Sequence, residues 1–303
     1  MIVRPRQHWF RMLLTWRGSV LPRILPRLLL LSGLAVVVTV LHGELFRLKI
    51  SLTFVPFTLI GLALAIFLGF RNSASYDRYW EARKLWGSLL NDTRSLTRQI
   101  LTLPEPGQDA RPFVHALIAF VHALRHQLRG TEPSAELARW LPPAVADELA
   151  GARFKPAMIL LHLGRQLQAL RREGRLDPML AQAMERPLCG LADSLGGCER
   201  IAGNPLPYTY GVIIHRTVYC YCFLLPFGLV DSIGMMTPLM VAFVAYTFLS
   251  LEELSEELEE PFGLSANDLA LDAMALGIET TLREMLGETD LPPAPEPVRY
   301  VLT

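Results

Sequence analysis

The sequence is poor in charge. Only 19% of its 303 residues are Asp, Glu, Lys or Arg, whereas soluble domains carry about 25%. Because 51% of the residues are apolar, this composition argues against an ordinary cytosolic enzyme. The 29 basic and 29 acidic residues balance one another, so we expect no nucleic-acid partner.

The sequence also lacks the cysteine patterns of a disulfide framework or a zinc module. Its four cysteines include no Cys-x-x-Cys pair, and Cys220 and Cys222 would point to nearly opposite sides of a helix. We therefore expect reduced, structural thiols. Serine nucleophile elbows, phosphate-binding loops and dinucleotide fingerprints are absent as well. The sequence thus predicts neither an enzyme nor a bound cofactor.

The apolar residues are concentrated in four uncharged runs. They cover residues 28–43, 50–70, 217–230 and 232–251. A helix needs about 20 residues to cross a hydrocarbon core of about 30 Å, so the runs predict four transmembrane helices. Only Asp231 separates the last two, which we interpret as a helical hairpin whose first helix begins near Gly211.

Basic residues are distributed unevenly around these runs. Residues 1–27 contain six arginines and no acid, and residues 71–210 contain 18 Lys and Arg. The connection 44–49 holds only Arg47 and Lys49. The positive-inside rule therefore predicts that both termini and the middle segment are cytoplasmic. No signal-peptide cleavage site follows the first run, so we expect a multi-pass membrane protein whose partner is the lipid bilayer.

The rest of the chain has helical periodicity. Apolar residues recur every three to four positions in 75–103, 113–128 and 157–172, and no alternating strand pattern is evident. Pro22 and Pro26 predict a kinked interfacial segment before the first run. We predict an all-α fold with four segments: 1–70, an interfacial segment and two membrane helices; 71–210, a cytosolic helical region; 211–251, two membrane helices; and 252–303, a cytosolic helix and an extended tail.

Three histidines share one predicted helical face. His122 and His126 have the spacing of a two-histidine metal site, with His115 farther along the same face. No acidic residue lies between them to act as a base, and no third ligand is evident. A polar or core-facing stripe is the other interpretation. A metal there would make the protein a membrane-anchored enzyme or sensor.

The densest charge cluster follows the fourth run. Its members are Glu252, Glu253, Glu256, Glu257, Glu259 and Glu260. On a helix they occupy more than one side, so some face water and others can face arginines of the 71–210 segment. In an oligomer the same residues would form a collar that attracts cations. The sequence leaves both interpretations open.

The second run carries an apolar stripe. Leu62, Ile66 and Phe70 lie four residues apart on one helical face. In a monomer this stripe indicates ordinary packing. If several copies surround an axis, it becomes a stack of apolar rings that can gate ions by dewetting.

Several motifs together resemble the bestrophin family, and its bacterial branch in particular. They are GFRNSASYDRYWEAR (69–83), CERI (198–201), PLPY (205–208), HRTVY (215–219), EELEEPFG (256–263) and NDL (267–269). They occur in the family's order around the membrane runs, and the resemblance extends to about residue 290. It implies a homopentameric ion channel of the bacterial inner membrane with one central pore.

The resemblance also implies roles for particular residues. The family's neck is built from three residues of the second membrane helix, and Leu62, Ile66 and Phe70 match that spacing. A second, cytosolic aperture lies about 25 to 30 residues before the Pro-Leu-x-Tyr motif. This distance selects Met179, with its neighbour Leu180 as the alternative.

The resemblance is less informative about calcium and ion selectivity. Animal members hold calcium partly with acids after Pro-Phe-Gly, where this chain supplies only Asp268. Calcium needs six to eight oxygen ligands, so calcium gating is not expected. We expect monovalent cations to be the permeating ions, as the glutamate collar and the bacterial resemblance favour. The alternatives are an anion (chloride) channel of the same family, a metal-binding enzyme or sensor, and a scaffold without transport.

Overall fold

The computed structural model describes residues 1–4, 8–13, 15–16, 18–41, 44–45, 48–49 and 53–303. These residues are mostly helical, as predicted. Arg6, Arg17 and Arg47, which contributed to the predicted orientation, lie outside the described residues. The helices are α1 Trp9–Leu13, α2 Leu21–Val40, α3 Phe54–Thr102, α4 Arg111–Arg129, α5 Ser134–Trp140, α6 Pro143–Ala150, α7 Lys155–Arg172, α8 Pro178–Gly203, α9 Tyr208–Ile233, α10 Thr237–Glu259 and α11 Leu271–Met285.

Strand structure is minor. Two antiparallel strands of two residues each, β1 Glu44–Leu45 and β2 Leu48–Lys49, form a hairpin between α2 and α3. Two isolated bridges involve the termini, where Ile2 and Val298 each pair with Val301. Each strand has only two residues, which is too short to give an alternating pattern, so the predicted all-α class is unaffected.

The chain forms two compact units. We call the first the apolar-helix unit, which comprises Arg4–Tyr79 and Pro205–Glu260. The second, the bundle unit, comprises Met1–Val3, Trp80–Asn204 and Pro261–Thr303. Helix α3 contributes residues to both units. The predicted segment boundary after residue 70 falls inside this continuous helix.

The core of the apolar-helix unit is built from α2, α3, α9 and α10. Buried residues from all four helices form one cluster: Ile24, Leu31, Leu64, Leu68, Ile214, Val218, Cys222, Ala245, Phe248 and Leu249. The rings of Tyr221 and Phe248 meet edge to face at 5.5 Å, so α9 and α10 form the predicted hairpin. It begins at Tyr208 and turns through a 3₁₀ segment, Gly234–Met236, where Gly234 has a φ of 51° that suits glycine.

Three helical stretches of the described chain are long and apolar enough to cross a membrane. They are Leu21–Val40, Val55–Thr102 and Tyr208–Glu259, the last of which contains both α9 and α10. The first stretch corrects one prediction, because α2 is continuous from Leu21 through Pro26. Pro22 occupies the first turn, where a backbone N–H has no helical partner and its loss is tolerated.

The bundle unit is organised around α4. This helix is buried along most of its length, from Phe113 to Leu124, and it packs against α7 and α11. Gly130 and Gly174 follow α4 and α7 with φ values of 63° and 72°, a left-handed conformation that is common where a helix ends. Within α8, burial raises the pKa of the Cys198 thiol to about 12, so this cysteine is an inert core residue.

Candidate functional site

The apolar stripe of α3 points away from the core of its own unit. Leu62, Ile66 and Phe70 are 61%, 49% and 66% exposed, while Leu64 and Leu68 of the same helix are buried. At about 100° per residue, the three exposed side chains lie within about 80° of one another, roughly opposite the buried ones. The stripe therefore lies on the outer surface of the protomer.

Three polar contacts with α10 set the rotation of α3 just beyond the stripe. The Asn72 side-chain amide donates to the carbonyl of Leu251 at 3.1 Å. The hydroxyls of Ser75 and Ser255 are 3.0 Å apart. The Arg78 Nε donates to the carbonyl of Glu259 at 3.2 Å. These residues line the inward side of α3, so the opposite side is held outward.

Two glycines allow close packing between α3 and α9. A Cβ on Gly61 would lie 2.9 Å from the hydroxyl oxygen of Tyr221, and one on Gly228 would lie 2.6 Å from the ring of Phe57. Both distances are shorter than van der Waals contact allows. The absence of side chains at these positions therefore contributes to the fixed orientation of the stripe.

Three of the six glutamates predicted to form a collar are buried and paired. Glu252 accepts from the Nδ1 of His215 at 2.6 Å. The Arg23 guanidinium lies 2.7 Å from Glu257 and 3.4 Å from Glu253, and Arg27 is also 3.4 Å from Glu253. The side chains of these three glutamates are only 4% to 9% exposed.

Glu256 and Glu260 are the exposed members of the predicted collar, and 54% of the Glu256 side chain is accessible. The buried guanidinium of Arg71 lies 3.9 Å from Glu256 and 3.7 Å from Glu259. Arg71 belongs to the segment in which we expected partners, whereas Arg23 and Arg27 belong to α2. No local sequence pattern connects these two arginines with the cluster, because they precede it by about 230 residues.

The two candidates for the cytosolic aperture lie in the first turn of α8. The carboxylate of Asp177 caps this helix and accepts from the backbone N–H of Met179 at 2.8 Å. Met179 is 73% exposed and Leu180 is 36% exposed. Of the two neighbours, Met179 presents more apolar surface away from the bundle unit.

Asp268 has a local structural contact. Its carboxylate accepts from the backbone N–H of Ser265 at 2.7 Å, and the residue is 4% exposed. Among the described residues, no group of three or more His, Cys, Asp or Glu side chains has the arrangement of a metal site. Through this hydrogen bond, Asp268 stabilises the local turn.

The three histidines of α4 have different carboxylate neighbours. The Nε2 of His122 is 2.8 Å from Glu279 in the core, that of His126 is 3.0 Å from Glu136, and that of His115 is 3.9 Å from Glu288. Burial raises the pKa of Glu279, but the hydrogen bond with His122 and nearby positive charges outweigh this and lower it. This geometry favours separate structural contacts over a shared metal.

Comparisons with known proteins cover nearly the whole chain. A model of the bacterial/fungal bestrophin proteins matches residues 1–284. The chain is 52% identical over 294 residues to a voltage-dependent anion channel-forming protein of Ralstonia nicotianae, covering 96% of each chain. It is 44% identical to the voltage-dependent anion channel-forming protein YneE of Escherichia coli, covering 99% of each.

A solved structure has the same fold. The crystal structure of a bacterial bestrophin homolog from Klebsiella pneumoniae superposes with a TM-score of 0.85 at 45% identity, over 89% of this chain and 100% of that one. The apolar helices, the helical architecture and the full-length sequence matches agree with one another. The chain is a membrane protein that belongs to the bacterial/fungal bestrophin family of ion channels.

Proposed function

We propose that this chain forms a homopentameric ion channel of the bacterial inner membrane, with one central pore. Its neck is lined by Leu62, Ile66 and Phe70 from each subunit. The observation that carries the proposal is the exposed apolar stripe of α3, held outward by contacts on the opposite side of the helix. Five copies of α3 around an axis stack this stripe into three rings.

Such a neck explains how the channel limits ion flow. A narrow apolar wall offers no oxygen atoms to replace the hydration shell of an ion. Ions then cross only when the neck is wide enough to stay wetted. The competing explanation is that the same side chains contact lipid or a neighbouring subunit, and substitution of the stripe separates the two.

We further propose four membrane spans, formed by α2, the first part of α3, α9 and α10. Helices α2, α9 and α10 have 20, 26 and 23 residues, which suits a hydrocarbon core of about 30 Å. The basic residues of the N-terminal and middle segments favour cytoplasmic locations for them and for both termini. A channel of this kind needs no catalytic site, and the separate partners of the three histidines give no support to a metal enzyme.

We infer that the channel conducts small monovalent anions, rather than the cations that we expected from the sequence. The relatives described above carry names that specify anion channels. In addition, Glu253 and Glu257 are buried beside arginines and Glu252 is buried beside His215, so part of the charge that favoured cations is paired within the protomer. Of the six glutamates, Glu256 and Glu260 keep the exposure that an ion-attracting collar requires.

Flux measurements in liposomes test this function. We expect vesicles containing the purified protein to pass chloride down a KCl gradient faster than empty vesicles. The reversal potential across a planar bilayer should lie towards the chloride equilibrium potential. Absence of flux from an intact oligomer would support a scaffold, and a reversal potential near that of potassium would replace the anion assignment with a cation channel.

We propose Met179 as the cytosolic aperture, because it is the more exposed of the two candidates. Met179→Ala is expected to change single-channel conductance or ion selectivity while leaving the open probability nearly unchanged, since it widens a ring separate from the neck. Leu180→Ala is the matched control. The assignment moves to Leu180 if only the control variant alters conductance in bilayer recordings.

A further inference from the structure

The stripe of α3 does not end at Phe70. Asp77 follows it by seven residues, which corresponds to two turns, or about 10 Å along the helix. Seven steps of about 100° bring Asp77 to within about 20° of the direction of Phe70. A carboxylate therefore follows the apolar residues on the same face of one uninterrupted helix.

The contacts of the neighbouring residues keep Asp77 on the outer side of α3. Ser75 and Arg78 are held against α10, as described above, and Ser75 is fully buried. Asp77 itself is exposed. Within the described part of the chain, its carboxylate forms no ion pair with a Lys, Arg or His nitrogen. Glu253 and Glu257, by contrast, lie beside arginines of their own protomer.

We propose that Asp77 is a selectivity-determining residue of the channel. In the pentamer, five Asp77 carboxylates form a ring at the cytosolic end of the apolar neck. This ring repels anions and attracts cations where ions enter and leave the neck. The inference rests on the proposed pentameric pore, but it does not depend on which ion the channel prefers.

The sign of the effect follows from the charge alone. Removing five negative charges lowers the energy of an anion near the ring and raises that of a cation, whatever the other determinants of selectivity. Salt screens the interaction, because the Debye length falls from about 30 Å at 0.01 M to about 3 Å at 1 M. The contribution of Asp77 is therefore largest in dilute salt.

Bilayer recordings of four variants test the proposal. Asp77→Asn is expected to raise the ratio of chloride to potassium permeability on the order of threefold to tenfold in dilute KCl, with little change at 1 M. Asp77→Lys should raise the ratio further, and Asp77→Glu should behave as the unmodified protein. Glu105→Gln removes an exposed carboxylate from the loop after α3 and should leave the ratio unchanged.

The outcomes separate this inference from the proposed function. Unmodified channels that prefer potassium would show that the anion assignment is wrong. The role of Asp77 stands in that case if Asp77→Asn still raises the ratio of chloride to potassium permeability. If Asp77→Asn has the permeability ratio of the unmodified protein in dilute salt, the role of Asp77 is refuted while the channel remains. Size-exclusion chromatography of each variant confirms that the oligomer is intact before recording. If the unmodified oligomer carries no current, both proposals fail.

Discussion

Replacing Leu62, Ile66 and Phe70 together by Ala is expected to raise ion flux roughly tenfold or more, which corresponds to a barrier lower by about 1.4 kcal/mol or more. The substitutions remove most of the apolar side-chain volume from three successive rings. A wider neck holds more water, so a permeating ion keeps more of its hydration shell. Flux into liposomes and single-channel conductance both measure the change.

The exposed surface of α3 offers a matched control for this experiment. Ile60 is 42% exposed, but it lies about 160° from Leu62 and about 120° from Ile66 around the helix. Ile60→Ala removes an apolar group from another face and is expected to leave flux near that of the unmodified protein. Equal flux in the triple variant and the unmodified protein, with an intact oligomer, would show that the stripe does not line the pore.

Arg23→Ala is expected to lower the free energy of unfolding by about 2–4 kcal/mol. Arg23 lies 2.7 Å from Glu257 and shares Glu253 with Arg27. Both carboxylates are nearly inaccessible, so removal of Arg23 takes one positive charge away from two buried negative charges. The half-exposed side chain of Arg23 limits the loss to less than that of a fully buried ion pair. A decrease of roughly 5–10 °C in the melting temperature of the detergent-solubilised oligomer is the expected readout.

Two further variants show whether charge compensation is the cause. Arg23→Ala combined with Glu257→Gln should recover part of the lost stability, because a neutral amide costs less to bury than a carboxylate. Glu256→Ala removes the exposed glutamate next to Glu257 and should change stability by no more than about 0.5 kcal/mol. If Arg23→Ala melts at the same temperature as Glu256→Ala, the ion pairs contribute little to the fold.

Much of the architecture was predictable because it depends on short-range patterns. The lengths of the uncharged runs predicted the membrane helices, and the residues needed for this lie within about 20 positions of one another. The stripe of α3 was visible for the same reason, since helical periodicity alone brings Leu62, Ile66 and Phe70 to one face.

Local patterns were less reliable where a residue can play two roles. Two prolines within seven residues predicted a kinked interfacial segment before the first membrane run, yet both lie in the single continuous helix α2. A proline in the first turn removes no helical hydrogen bond, and the apolar packing of Ile24 and Leu31 stabilises the turns that follow. The same ambiguity affected the three histidines, whose spacing suited a metal site but whose neighbours from other parts of the chain are carboxylates.

The sequence by itself determined the helical class of this protein, its apolar helices and the face of α3 that carries the candidate neck. Only the tertiary structure decided which charges remain available to ions. Glu253 and Glu257 lose their exposure because α10 packs against α2, whereas Asp77 keeps its exposure because Ser75 and Arg78 turn the other side of α3 towards α10. Burial and charge pairing depend on contacts between residues up to about 230 positions apart, and no local pattern in the chain encodes them.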